Sequence, residues 1–237
     1  MKYSLSAWSV FPLLAAAFAI GEAAQAGIIS QYSFTGAALN RDATTVAGNV
    51  AAGAITDAPT VNNNATVVLA RTTGVGYSTE PVLSVARANF NESSVPENVY
   101  FTFNVAPTSG YELDLSSLTF NAARGGGATP RTYDVRTSLD GFATSLTGTV
   151  ELLTARPTFT SVSVDLSGGQ FQNLTSPLTF QVRIFTPTVL QNIDFDDITI
   201  NGEVVAAVPE PAALSLLALA GCWLFQGRRR VSRLRLR

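Results

Sequence analysis

The sequence predicts an all-β chain: one antiparallel β-sandwich of jelly-roll type, flanked by an N-terminal signal helix and a C-terminal hydrophobic helix. Three observations predict it. Apolar and polar residues alternate with period two through the middle of the chain, which buries one face of an antiparallel sheet and wets the other. Turn-forming clusters punctuate these runs at short intervals, as they do in sandwiches and barrels. Both ends carry an apolar run with polar flanks of a different kind. The chain divides accordingly into segments 1–26, 27–207 and 208–237.

The first segment reads as a secretory signal. Lys2 supplies a positive start and Ala7 to Ile20 is almost wholly apolar. Ala24-Gln25-Ala26 then provides the small-x-small pattern of a cleavage site, so Ala24, Ala26 and Gly27 mark the expected cut. A permanent N-terminal membrane helix would be short here and would end in the wrong flank.

In the middle segment, from Gly27 to Ala207, eight arginines face fifteen acidic residues, a net of −7 (8 − 15), and there is no lysine. That balance argues against a nucleic-acid partner. The chain has no histidine, and its one cysteine, Cys222, lies in the C-terminal apolar run. A Ser-His-Asp or Cys-His nucleophile system is therefore impossible. Zinc sites built from His and Cys are excluded too, and stability must come from an apolar core without disulfides.

Val99, Phe101, Phe103 and Val105 form the first clear alternating strand, followed by Tyr133 and Val135. Val162, Val164 and Leu166 form another, and Leu178, Phe180, Val182 and Ile184 the next. Turns fall at 106–111, 124–131, 139–142, 166–171 and 200–204. The stretch 36–64 is least patterned and reads as a meandering edge or a long loop. A short helical turn near Phe171 to Leu174 is the one departure from strand and loop.

The third segment has three parts. Val208, Pro209, Glu210 and Pro211 break the chain, Ala212 to Phe225 is apolar, and Arg228, Arg229 and Arg230 open a basic end. As a helix, the apolar run spans about 21 Å, short of the roughly 30 Å of a hydrocarbon core. Gln226 extends it to a segment 212–226, and the arginines hold their flank on the cytoplasmic side as a stop-transfer signal. The run can insert, yet it is a marginal permanent anchor.

This arrangement resembles the PEP-CTERM sorting signal of exported bacterial proteins, part by part. The resemblance implies recognition by an exosortase-type membrane protease at the inner membrane. It implies a Gram-negative host that makes exopolysaccharide, and a final place in the cell envelope or extracellular matrix. Two stretches of the middle carry a second resemblance. "TYDVRTSLDGF" at 132–142 and "IDFDDITINGEV" at 193–204 look like strands of galactose-binding-like and carbohydrate-binding jelly rolls. That implies fold more than activity, because one sandwich hosts many functions.

Asp194, Asp196 and Asp197 crowd the start of the last strand. Ile193 and Phe195 share one parity and Ile198 and Ile200 the other, so the strand must kink or bulge between them. The resemblance implies a calcium ion as one use of such carboxylates, which are the oxygen ligands a hard cation takes. An acidic edge that discourages strand pairing is the other. A glycosidase acid-base pair would need a second carboxylate such as Asp140 or Glu112, since neighbours on a strand face opposite ways. Arg124, Gly125 to Gly127 and Arg131 could hold an anion. The stretch lacks the Lys-Ser/Thr of a phosphate-binding loop and precedes a strand, so a hairpin loop is the better reading. Tyr77, Tyr100 and Tyr111 serve equally as sugar platforms or packing.

The expectation is a non-enzymatic exported protein of the cell surface or extracellular polysaccharide matrix. A carbohydrate-binding module, stabilised by calcium in one version, is the first alternative. A polysaccharide hydrolase or lyase is the second.

Overall fold

The computed structural model describes residues 27–35, 38–57, 67–72, 81–87, 99–127, 129–186 and 191–207. The expectations for the signal segment and for the sorting tail with its apolar run fall outside these residues. No helix among the described residues is long and apolar enough to cross a membrane.

The strands are β1 (Gly27–Tyr32), β2 (Thr45–Val46), β3 (Val50–Ala52), β4 (Thr56–Asp57), β5 (Val67–Thr72), β6 (Val82–Arg87) and β7 (Tyr100–Pro107). They continue with β8 (Tyr111–Arg124), β9 (Arg131–Thr137), β10 (Val150–Leu152), β11 (Thr160–Asp165), β12 (Leu178–Phe185) and β13 (Asn192–Ala206). Single 3-10 turns sit at Ser138–Asp140 and Gly169–Phe171, the second beside the expected helical turn. One sheet runs β11-β8-β13-β1-β2, with β6 also on β13 and β5 beyond β6. The other runs β10-β9-β12-β7-β3, with β4 also on β7. The strand pairs within both sheets are antiparallel. From β7 to β9 and again from β10 to β13 the chain alternates between sheets, which is jelly-roll wiring.

The alternating residues meet where the two sheets face each other. Phe101 of one sheet packs edge-on against Phe195 of the other with ring centroids 5.2 Å apart. Phe120 and Tyr133 repeat the arrangement at 5.6 Å, as do Tyr32 and Phe103. Offset and edge-on aromatic pairs of this kind each add about 0.5–1.5 kcal/mol beyond the area they bury. The poorly patterned stretch 36–64 is a meandering edge in its described part. Short β3 and β4 line the rim of one sheet and β2 the rim of the other.

Two buried phenols sharpen the energetics of this core. Tyr32 donates from its hydroxyl to the Gly53 carbonyl at 2.6 Å and so ties β1 to the opposite sheet's rim. Tyr133 is equally buried, but its hydroxyl has no partner among the described residues, and burial pushes its pKa up to about 12. Net hydrogen bonds stabilise by about 1 kcal/mol, whereas an unmatched buried hydroxyl costs desolvation with no return. Tyr32→Phe should therefore lower unfolding stability by about 1 kcal/mol. Tyr133→Phe should leave it unchanged or raise it by up to about 1 kcal/mol. Urea midpoints of the two variants, compared side by side, check the contrast.

Strand β13 organises the face described next. It pairs with β8 from Ile193 to Ala206, with two irregularities. On its other flank β6 occupies Asn192 to Phe195 and β1 takes over from Ile198 to Gly202. The hand-over coincides with a bulge between Asp196 and Thr199, at the place where the apolar parity reverses. Asp197 there adopts a φ of 49°, a left-handed conformation that Asp tolerates better than most side chains.

Candidate functional site

Two rows of polar side chains cross the outer face of the first sheet. Gln31, Thr199, Thr119 and Ser163 are consecutive cross-strand neighbours on β1, β13, β8 and β11. Asp196, Asn121 and Ser161 form the row beside them. The intervening positions, Tyr32, Ile198 and Phe120, turn into the core. Apart from the buried Asp196, these rows line a shallow groove of about 360 Å³ together with Asp197, Phe120 and Val162, within the size range of small-ligand sites.

The bulge sets the groove's one projecting charge. Asp196 is buried, and its Oδ1 accepts the Asp197 backbone N–H at 2.9 Å. The Thr199 hydroxyl donates to the Asp197 carbonyl at 3.1 Å. These bonds hold Asp197 in its left-handed turn, so that its side chain lines the groove. Ser161 donates to Asn121 Oδ1 at 2.7 Å, which leaves the Asn121 amide nitrogen to donate outward. The lining thus presents hydroxyls, amides and a carboxylate, a set matched to neutral hydroxyl-bearing ligands. Asp197 is the one carboxylate among the described residues of this lining. A second hollow of about 410 Å³ lies between the edge strands β10 and β11. Leu146, Val150, Leu152 and Val164 line it beside the polar Thr147, Glu151, Thr160 and Asp165.

Asp194 lies elsewhere and is fully buried. Its Oδ1 accepts from the Ser84 hydroxyl at 2.7 Å and the Asn192 amide at 2.6 Å. Its Oδ2 is ion-paired with Arg156 at 3.2 Å. Burial pushes its carboxyl above the usual range, against the pull of Ser84, Arg156, Asn192 and Arg131. Asp194, Asp196 and Asp197, the three carboxylates for which calcium was one expected use, have different surroundings. Arg156 already neutralises the first, the bulge backbone engages the second, and the third lines the groove. Among the described residues no three His, Cys, Asp or Glu side chains gather to hold a metal ion.

The other candidates are scattered. Asp140 accepts the backbone N–H groups of Ala143 and Thr144 at 3.1 and 2.8 Å and closes a turn. The Thr144 side chain first, then the Thr144 and Ala143 backbone bonds, hold its carboxyl below the usual range. Glu112 pairs with Val205 at the far end of β13 from Asp194. Tyr100 and Tyr111 are half-buried, and Tyr77 is outside the described residues. Gly27 opens β1. Ala24, Ala26, Val208, Pro209, Glu210, Pro211, Arg228, Arg229 and Arg230 lie outside the described residues. Sequence reasoning missed Gln31, Asn121 and Ser163, which carry no signal until register aligns them.

No family model and no curated protein matches the chain. Among solved structures it is similar to the CBM22-1 xylan-binding domain from Paenibacillus barcinonensis Xyn10C. There the identity is 11% over 79% of this chain and 100% of that one, with a TM-score of 0.42. It is also similar to the K3 cleaved adhesin domain of Lys-gingipain from Porphyromonas gingivalis. That match has 21% identity over 52% of this chain and 75% of the other, with a TM-score of 0.35. A carbohydrate-binding module specific for non-crystalline cellulose matches at 8% identity and a TM-score of 0.36, covering 56% and 80% of the two chains. At such scores the likenesses assign neither family nor ligand. The sandwich rests on its own sheets and core, and the groove on its own lining.

Proposed function

We propose that this chain is a non-catalytic, exported protein of the cell surface or extracellular matrix whose sandwich contacts a neutral glycan along the Asp197 groove. The observation that carries the glycan contact is the groove itself, in which four strands align hydroxyl and amide side chains around a carboxylate held by the bulge. Hydroxyls and amides act as both donors and acceptors and so match the alternating chemistry of sugar hydroxyls. The signal segment and the tail support delivery to the inner membrane, processing by an exosortase-type protease and release to the envelope of an exopolysaccharide-producing Gram-negative bacterium.

A glycan array probed with residues 27–207, which contain the whole apolar core described above, tests the contact. Neutral oligosaccharides should be retained; Asp197→Ala should weaken retention about tenfold, the worth of one hydrogen bond to a charged group, and Asn121→Ala about fivefold, that of a neutral one. Retention of no neutral glycan, or equal retention by both variants, would remove the groove from this reading. The mass of the mature protein from cells tests the sorting step separately. Loss of everything from about Pro209 onward supports processing, and an intact tail in the membrane fraction opposes it. Release of reducing ends from matrix polysaccharides would move the protein to the hydrolases.

A further inference from the structure

The hairpin loop between Arg124 and Arg131 acquires a third arginine in the folded chain. Arg124 ends β8, Arg131 begins β9, and Arg156 arrives from the connection between β10 and β11. Arg124 donates to the Leu153 carbonyl at 2.8 Å. Arg131 donates to the carbonyls of Gly126, at 2.5 Å, and Asn192. Arg156 reaches Asp194. Three guanidinium groups thus gather here, Arg156 and Arg131 beside Asp194 and Arg124 beside Arg131, an excess of two positive charges over that carboxylate (3 − 1). It sits in a segment whose own balance is −7 (8 − 15).

We propose that this end of the sandwich binds an oxyanion substituent, carboxylate or sulfate, of an acidic polysaccharide. The proposal extends the glycan reading to a second contact of opposite electrostatic preference.

Four observations converge on it. The charge excess is close-set: after burial, Arg124 lowers the pKa of Arg131, and Arg156 adds to this against the opposing pull of Asp194. An anion between them relieves that repulsion. The Nε groups of Arg124 and Arg131 are buried with no partner among the described residues, so donor capacity at this end is unspent. Gly126 and Gly127 have φ of 92° and 73°, and without side chains their loop lets a ligand approach the guanidiniums. Arg156 keeps 29% of its side chain exposed, so the cluster is open to solvent.

Its position suits the role. Gly27 pairs with Gly202 near one end of β13, while the arginines gather around Asn192 and Asp194 at the other. Fifteen residues of strand separate the ends of β13, about 45 Å at the usual rise. A sandwich held through its terminal segments would carry the arginine end far from the point of attachment.

The test uses the full chain in detergent, with sodium sulfate, methyl glucuronide and methyl glucoside added separately, and sodium chloride at matched ionic strength. Sulfate or the glucuronide, at about ten times its dissociation constant, should raise Tm by about 3–6 °C over chloride. The neutral glucoside should give no comparable rise. Arg124→Gln removes a guanidinium outside the ion pair and should weaken anion binding about tenfold. Arg156→Lys keeps the charge while losing the planar fork, and should weaken it less. A response to one anion alone identifies the substituent and supports the site. Equal effects of both anions and chloride, or full binding by Arg124→Gln, would show that the arginines only clamp loop carbonyls. Asp197→Ala should leave the anion response intact. A glycan array without neutral binders, beside a normal sulfate response, would reject the groove and keep this site.

Discussion

Asp194→Ala is expected to destabilise the sandwich by about 3–5 kcal/mol, the cost of breaking a buried charge pair by removing one partner. The carboxylate is fully buried and is held by Ser84, Asn192 and Arg156. Its removal leaves Arg131, itself buried, among positive neighbours with no counter-charge. Asp194→Asn keeps the shape and loses the charge, so it should fall between alanine and wild type in a urea titration. A loss below about 1 kcal/mol for alanine, the scale of a surface pair, would show that water already solvates the cluster.

The same residue sets a pH dependence. Its folded carboxyl lies above the ordinary range because burial outweighs the favourable partners. The folded chain therefore holds a proton at pH values where the unfolded chain, with an ordinary value of about 3.9, has lost it. This contribution is fully present below the unfolded value and is lost as pH rises through the folded one. Unfolding free energy should thus decline across that window, and Asp194→Asn should remove this residue's share of the slope.

Gly202→Ala should cost about 3 kcal/mol or more, at the upper end of overpacking penalties. That lowers Tm by about 6–12 °C for a domain of this size. A Cβ on Gly202 would collide with the Asp114 carbonyl oxygen and come within 2.8 Å of Leu115 Cα. Both are backbone atoms of the paired strand β8, so no side-chain rotation relieves the overlap. The close approach follows from the register shift between Asn201 and Gly202, where β8 inserts an extra residue. Gly48→Ala is the control, because an added Cβ there meets nothing within 4 Å. It should change stability by less than about 0.5 kcal/mol, and scanning calorimetry of the pair separates the two cases.

That second bulge shows why some of the fold could be read from the chain and some could not. Leu113 and Leu115 face the core with one parity, and Leu118 and Phe120 with the other. This is the same kind of reversal that reveals the bulge at Asp196 and Asp197, and a sequence can display it. Alternation also placed the core faces of β7, β9, β11 and β12 correctly, because a half-buried strand has to alternate. Strands β5 and β6 escaped, although β6 supplies Ser84, a partner of Asp194. Their runs are short and poorly alternating, and their role comes from pairing with β13 and with each other.

The sequence by itself determined the class of fold, the alternating faces, the break at Asp196-Asp197 and the absence of histidine chemistry. Each follows from local period or from composition, which a linear chain displays directly. Only the tertiary structure decided the partners. Ser84 meets Asp194 across 110 residues, Arg156 reaches it across 38, and the groove takes a row from four strands. In an antiparallel sandwich such contacts are non-local. Their register is set by how the whole core packs, and no spacing along the chain encodes it.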